Sequence, residues 1–369
     1  MKKVGIVGWR GMVGSVLMER MEAENDFSKI SSYLFSTSLK GERSPEISNC
    51  HDIILDSNSV KDLSEMDIIV TCQGGDYTND IHPKLRSSGW NGIWIDAASA
   101  LRMKEDSIIV LDPINKKNIE DGLNSNVKDF IGGNCTVSLM LMGLGGLFKE
   151  GLVEWMSSMT YQAASGAGAK SMIELLDQMK FFGDAYLNQR QINPSTSALE
   201  FEKLMTENFN SDAFPKSQFG SPLALSLLPW IDVKMESGQS KEEWKAQVEA
   251  NKILDNKNII PIDGTCVRVA SLRCHSQAFT IKLKKNVSIS TIESLIKENN
   301  EWVEVISNDK ESTISRLTPA YVSGTMKIPV GRLRKMTIGD EYLNAFSIGD
   351  QLLWGAAEPL RRTLMMGVS

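Results

Sequence analysis

The sequence predicts an α/β protein, with a doubly wound parallel sheet at the N-terminus and a second, α+β domain after it. Three observations carry that expectation. Through the first 135 residues, short and almost continuously apolar runs alternate with helix-like stretches, the pattern of strands covered on both faces by crossover helices. Three glycines stand between the first apolar run and the first helix. Beyond Cys135 the order changes, and long helices precede long β runs. A chain of 369 residues is also too long for one ordinary core, so two domains are expected.

In chain order, "KVGIVG" (3–8) predicts the first strand and "VGSVLMERMEAE" (13–24) an amphipathic helix. "SSYLFST" (31–37), "DIIVTCQGG" (67–75), "GIWIDAAS" (92–99) and "DSIIVLDP" (106–113) predict further strands. "AKSMIELLDQMKFFGDAYL" (169–187) predicts a long helix, and "GTCVRVASLRCHSQAFTIKLKK" (264–285) a long β run. The closing "GDQLLWGAAEPLRRTLMM" reads as a helix returning to the first domain. The expected division is 1–133 plus 357–369 for the first domain and 134–356 for the second.

Composition excludes several classes. Hydrophobic content of 42% and charged content of 23% are those of a soluble globular protein. A net charge of -6 argues against nucleic acid or an anionic membrane as partner. No apolar stretch approaches the roughly 20 residues that span a bilayer. Lys2 and Lys3 before apolar residues imitate a signal peptide, but Arg10 and the glycines break the run at once, so it reads as a strand. Five cysteines without CxxC spacing suit free thiols in a reducing cytoplasm. The Cys50-His51 and Cys274-His275 pairs are each half a metal site at most, and no metal is expected.

The loop "GWRGMVG" places Gly8, Gly11 and Gly14, with Arg10, Met12 and Val13 among them, between strand and helix. Glycines there permit a tight turn and let a phosphate approach the helix N-terminus. The spacing is G-x-x-G-x-x-G rather than G-x-G-x-x-G, and a plain tight turn would look the same. The next strand ends in Thr37 and Ser38, without the carboxylate that usually holds the ribose of NAD. Hydroxyls there, with Arg10, suit a 2′-phosphate, so a Rossmann-like domain with NADP as cofactor is expected. The bland alternative for Arg10 is a solvated loop charge.

Cys135 sits in "IGGNCTVSLM", after two glycines and an asparagine. A free thiol is only about 3% thiolate at pH 7, but a helix start lowers its pKa, and thiolate attacks carbonyls well. Gly132 and Gly133 let the chain bend, the run from Val137 predicts a buried helix, and amides at its start could hold an oxyanion. A cysteine taken singly is more often core filler, the reading kept for Cys50, Cys72, Cys266 and Cys274. Of three histidines, His51 falls in a polar loop and His82, before Pro83, at an expected helix start.

Together "GWRGMVGSVLMERM", "IIVTCQGGDYTN", "WIDAAS", "GGNCTVSLM", "YQAASGAGAK", "EEWKAQ", "VRVASLRCHSQAFTIKLKK" and "GDQLLWGAAEPLRR" resemble the aspartate-β-semialdehyde dehydrogenases, in the branch found in Gram-negative bacteria, from end to end. The resemblance implies an NADP-dependent interconversion of aspartate semialdehyde and aspartyl phosphate, serving lysine, threonine and methionine synthesis. It implies Cys135 as nucleophile and His275 as general acid/base. It pairs Arg268 with the substrate carboxylate, Glu242 with its amine, Gln162 with its orientation, and Arg102 and Lys245 with phosphate. Gln73, Ser165, Gly166, Pro194 and Gln351 match cofactor contacts. A homodimer through the second domain is implied as well. Two departures are small: Ala167 stands where glycine is common, and residues 41–60 are unusually polar.

The residues themselves add to this. The ordinary histidine pKa near 6.5 suits proton transfer. "SKEEWK" from Ser240 fits a capping box in which Glu243 reaches back, leaving Glu242 free and Lys245 on its helix face. Arg268 and His275 are seven apart, and a regular strand would send them to opposite faces. If both line one pocket, the chain between Ala270 and Cys274 must bulge, bend or end. N-acetylglutamyl-phosphate and glyceraldehyde-phosphate dehydrogenases share the thioester logic, but Arg268 and Glu242 together demand an amino-acid substrate with a free amine, and an acetylated or sugar-phosphate substrate has no use for the Glu242 carboxylate. A non-catalytic NADP-binding sensor has no need of Cys135 and His275 together, and a Cys-His hydrolase leaves the glycine loop unexplained.

Overall fold

The apolar runs of the first unit become β1 (Lys3–Val7), β2 (Ser31–Ser36), β3 (Leu55–Asp56), β4 (Ile68–Thr71), β5 (Ile93–Asp96), β6 (Ser107–Val110) and β7 (Asp129–Gly132) in the computed structural model, which describes residues 1–369. All are parallel, in the order β3-β2-β1-β4-β5-β7-β6. Val4, Ile6, Ile68, Val70 and Phe130 pack with Leu17, Met21, Leu360 and Leu364 in one core, while Val7, Phe35, Ile69, Trp94 and Ile131 pack with Ile81 and Leu85 in another. Helices cover the sheet on both faces, which is why its strands read as continuous apolar runs. The chain leaves β1 for β2 on one side and reaches β4 on the other, so a crevice opens at the strands' carboxyl ends beside β1.

Two strands are additional to those expected. β3 is only two residues long, and β7 has a single apolar pair, Phe130 and Ile131, between Asp129 and Gly132. β7 inserts between β5 and β6 and delivers the chain directly to Asn134.

The second unit is built on β8 (Val153–Gln162), β9 (Leu227–Leu228), β10 (Ile262–Asp263), β11 (Cys266–Val269), β12 (His275–Leu283), β13 (Val303–Val305), β14 (Ile328–Met336) and β15 (Gly339–Gly349). They form one mixed sheet, β13-β14-β15-β12-β8-β11-β9, with β10 beside β8. Burial alternates strictly along β12, so one face is core and the other open. The Cys135–Lys149 helix lies on the core face and contributes Val137, Leu139, Met140, Leu141 and Leu144.

The expected irregularity between Arg268 and His275 is present. β11 ends at Val269 and β12 starts at His275, with Cys274 in the left-handed region at φ 78°. β11 runs parallel to β8 on one side and β12 antiparallel to it on the other. The connecting segment therefore crosses the end of β8, where Ala164 and Ser165 donate to the Ser271 and Leu272 carbonyls at 2.8 and 3.1 Å. Arg268 and His275 arrive at that same end from opposite sides.

The C-terminal stretch returns to the first unit as expected, through a π turn (Leu353–Ala357) and the Glu358–Val368 helix. Leu352 and Leu353, ahead of the expected junction at 357, already pack in the first core, whereas Trp354 is buried in the second.

Candidate active site

Between the two units lies a cavity of about 560 Å³ that brings together Met12 and Val13 of the glycine loop with Arg102, Cys135, Gln162, Glu242, Lys245 and Arg268. On the first-unit side the loop is shaped by steric need. Gly8 has φ 72°, and a Cβ there would sit 2.8 Å from the Gln73 amide nitrogen; a Cβ at Gly14 would sit 2.1 Å from the Gly8 carbonyl oxygen. Gly11 caps the Met12–Ala23 helix, whose first turn has no acidic residue and no side-chain cap. Gly11 and Arg10 are exposed, so the positive helix end is open to a phosphate.

Thr37 and Ser38 are exposed just past β2, where Ser36 Oγ accepts from the Ser38 and Leu39 amides at 3.3 and 3.2 Å. The carboxylate missing from β2 has a neighbour in Asp56 of β3, in register with Ser36 and paired with Lys40 at 2.8 Å. Gln73 lies beside the glycine loop. Ser165, Gly166 and Gln351 line the cavity, and the Gln351 side chain ties the Ser165 hydroxyl to the Cys274 amide, which donates at 2.7 Å. Pro194 is placed elsewhere. It lies exposed beyond the Ala169–Ile192 helix, where Arg190 donates to its carbonyl at 3.3 Å, and does not reach the cavity.

Cys135 opens its helix as expected and is partly exposed to the cavity. Its surroundings correct two expectations. Asn134 Oδ1 accepts from the Thr136 and Val137 amides at 3.0 and 3.2 Å, so those amides are not free for an oxyanion. The thiol pKa is raised, not lowered: burial pushes it up to about 12, Glu242 adds to the rise, and Arg268, Arg102 and Lys245 only partly offset it. In the free protein the group is a thiol. Iodoacetamide should therefore modify Cys135 at a rate that climbs about tenfold per pH unit from 7 to 9, following the small thiolate fraction; a plateau near neutrality would contradict the assignment of charge here.

His275 is fully buried. Its Nδ1 accepts from the Ala163 amide at 3.1 Å, which places the proton of the neutral ring on Nε2. Burial, with Arg268 beside it, lowers the pKa to about 3, and Nε2 has no partner. The ring is thus a neutral donor awaiting an acceptor. A Cβ on Gly166 would lie 2.7 Å from Arg268 Nη1 and 2.9 Å from His275 Nε2, so this glycine keeps both side chains within reach of the cavity. Gly166→Ala should lower turnover by about 10²-fold through misplacement of the two groups, with thermal unfolding close to wild type; unchanged kinetics would show that the gap has no role.

Arg268 Nη1 donates to the Ala163 carbonyl at 2.7 Å, and the side chain is buried without a carboxylate partner. Burial lowers its pKa. The other two cations of the cavity are paired. Arg102 meets the Gly132 carbonyl at 2.5 Å and Glu249 at 3.2 Å; Lys245 meets Glu242 at 3.0 Å and Asp232 at 2.8 Å.

The capping box on the Lys241–Ile253 helix is present, with Ser240 and Glu243 exchanging bonds of 3.3 and 2.7 Å. Glu242 is not free, however. Its carboxylate accepts from Asn134 Nδ2 at 3.0 Å, Gln162 Nε2 at 3.2 Å and Lys245 Nζ. Burial works to raise its pKa, but Lys245 and these donors outweigh it and hold the group ionised. Capacity for a further donor remains.

Sequence reasoning missed Glu249 and Lys252. Buried Glu249 accepts from the Asn134 amide at 2.7 Å and from Arg102, while Lys252 Nζ donates to the Arg102 and Lys104 carbonyls at 2.7 and 2.6 Å. The signal was available: 242, 245, 249 and 252 continue one helical stripe. Neither of the remaining histidines belongs here. His51 is exposed and stacks on Tyr33. His82 lies within the Gly75–Ser87 helix rather than at its start, with Nε2 2.9 Å from Asp129.

With this geometry in place, comparison with known proteins is decisive. The family model described as the semialdehyde dehydrogenase NAD-binding domain matches residues 3–122, and the one described as the semialdehyde dehydrogenase dimerisation domain matches residues 144–354. The structure of aspartate semialdehyde dehydrogenase from Francisella tularensis is 50% identical, with 99% of each chain covered and a TM-score of 0.95. The chain belongs to the aspartate-semialdehyde dehydrogenase family. Family membership gives it a nucleotide-binding first unit and a dimerisation domain in the second. Two more distant members share the fold. Aspartate semialdehyde dehydrogenase II from Vibrio cholerae, complexed with ASA, is 22% identical over 99% of this chain and 98% of its own, with a TM-score of 0.79. The Candida albicans enzyme with NADP is 15% identical over 100% and 99%, with a TM-score of 0.64.

Proposed function

We propose that the chain is an NADP-dependent, phosphorylating dehydrogenase that interconverts L-aspartate 4-semialdehyde and 4-phospho-L-aspartate, in the cytoplasm, for lysine, threonine and methionine synthesis. The observation that carries this reading is Arg268, a buried guanidinium without a protein counter-ion in the same cavity as Cys135. A buried unpaired charge is costly, and a substrate carboxylate bound bidentately removes the cost. Glu242, with acceptor capacity left, takes the α-ammonium, and Gln162 holds Glu242 in place. An N-acetylated substrate keeps its carboxylate for Arg268 but has no ammonium for Glu242, and a sugar phosphate has neither group.

Cys135 carries the acyl group as a thioester: its sulfur gives up its proton to solvent in the open cavity and bonds to the carbonyl carbon, and phosphate later attacks that carbon and releases the sulfur. His275 donates its Nε2 proton to the carbonyl oxygen as charge develops there and takes it back as the acyl carbonyl re-forms. Arg102 and Lys245 receive the phosphate. The exposed Gly11 helix start accepts the cofactor pyrophosphate, and Arg10, Thr37 and Ser38 accept its 2′-phosphate. Bound NADP supplies the hydride exchange between the aldehyde and acyl levels. The dimerisation domain supports a homodimer, and exposed Met159 and Tyr161 on β8 offer apolar surface for it.

The test is direct. With aspartate semialdehyde and NADP, reduced nicotinamide should accumulate continuously only when phosphate is present. Equal rates without phosphate, or with the N-acetylated substrate, would reject the reading.

A further inference from the structure

Lys245, read above as a phosphate ligand, already holds two anions, and they differ in how firmly they are fixed. Glu242 is buried and bound by Asn134 and Gln162 as well as Lys245. Asp232 comes from a loop, and its side chain is 30% exposed. It lines the same cavity and reaches Lys245 Nζ through Oδ2 alone, at 2.8 Å. The other oxygen, Oδ1, accepts from the Val233 amide at 2.8 Å, and the Asp232 carbonyl accepts from the Trp230 indole at 2.8 Å. These bonds hold Asp232 in the left-handed region, at φ 74°, and aim Oδ2 at the ammonium.

A phosphate dianion cannot join two carboxylates around one ammonium without strong like-charge repulsion in so enclosed a site. One carboxylate must withdraw, and only Asp232 can reach solvent. We propose that Asp232 is a built-in competitor for the phosphate site: its carboxylate takes the place of a phosphate oxygen on Lys245, retreats when phosphate or the phosphoryl end of an acyl phosphate enters, and returns as phosphate leaves. The device makes phosphate binding weaker than the cations alone would allow, and in the biosynthetic direction it helps to expel the released phosphate. This rests on the reading of Lys245 as a phosphate ligand.

The experiment compares Asp232→Asn and Asp232→Gly, both compatible with a left-handed backbone, alongside Lys245→Ala. Removing the competitor should lower the phosphate KM about three- to tenfold, the factor by which a competing internal state reduces apparent affinity. The KM values for semialdehyde and NADP should stay within about twofold, as expected when one subsite alone is altered. Inorganic phosphate should also protect Cys135 from iodoacetamide at proportionally lower concentration, a reading independent of turnover. A phosphate KM that is unchanged or higher in both Asp232 variants, with Lys245→Ala raising it, would overturn the competitor and leave Asp232 as a support for Lys245. A phosphate KM unmoved by Lys245→Ala would overturn the phosphate site itself, and the proposal with it.

Discussion

Cys135→Ser is expected to reduce phosphate-dependent formation of reduced nicotinamide by about 10⁴-fold or more, because the attacking atom and the acyl carrier are lost together. A hydroxyl ionises far less readily than a thiol. The substitution is otherwise mild. Asn134 still caps the helix through the Thr136 and Val137 amides, and the residue remains at a partly exposed position. Thermal unfolding and NADP affinity should match wild type. Substantial phosphate-dependent turnover in this variant would remove Cys135 from the chemistry.

Arg268→Lys is expected to lower kcat/KM for aspartate semialdehyde by about 10²- to 10³-fold. The arginine uses Nη1 to fix itself on the Ala163 carbonyl and keeps its remaining donors for the substrate. An ammonium cannot both hold that carbonyl and pair bidentately with a carboxylate. The site is also buried enough to lower even the arginine pKa, so lysine there would tend to lose its charge. Part of the loss should appear in kcat, since the carboxylate positions the carbonyl against Cys135. NADP binding, followed by protein fluorescence, should be unaltered; an equal loss in both would indicate a folding defect.

The parts of this site that were legible in the sequence are those fixed by local rules. The glycine loop needs Gly8 and Gly14 for steric reasons within one turn, Asn134 and Cys135 form a local helix start, and Ser240 with Glu243 forms a box over three residues. The seven-residue separation of Arg268 and His275 predicted a break, and the break is what carries the chain across β8. What stayed hidden depends on packing between distant segments. β7 carries too few apolar residues to announce itself and is fixed by its neighbours on both sides. The raised Cys135 pKa reflects burial and Glu242, residues apart in sequence, which local capping arguments cannot weigh. Glu249, which links the Asn134 amide to Arg102 across the two units, is of the same kind, although the helical stripe pointed to it.

The most direct test mixes the protein with aspartate semialdehyde and NADP in the absence of phosphate, quenches in acid and maps the peptides by mass. An aspartyl increment on the Cys135 peptide, removed by a chase of phosphate, is the predicted result. A protein that reduces NADP with no adduct there, or with the adduct on another residue, would contradict the assignment of the acyl carrier.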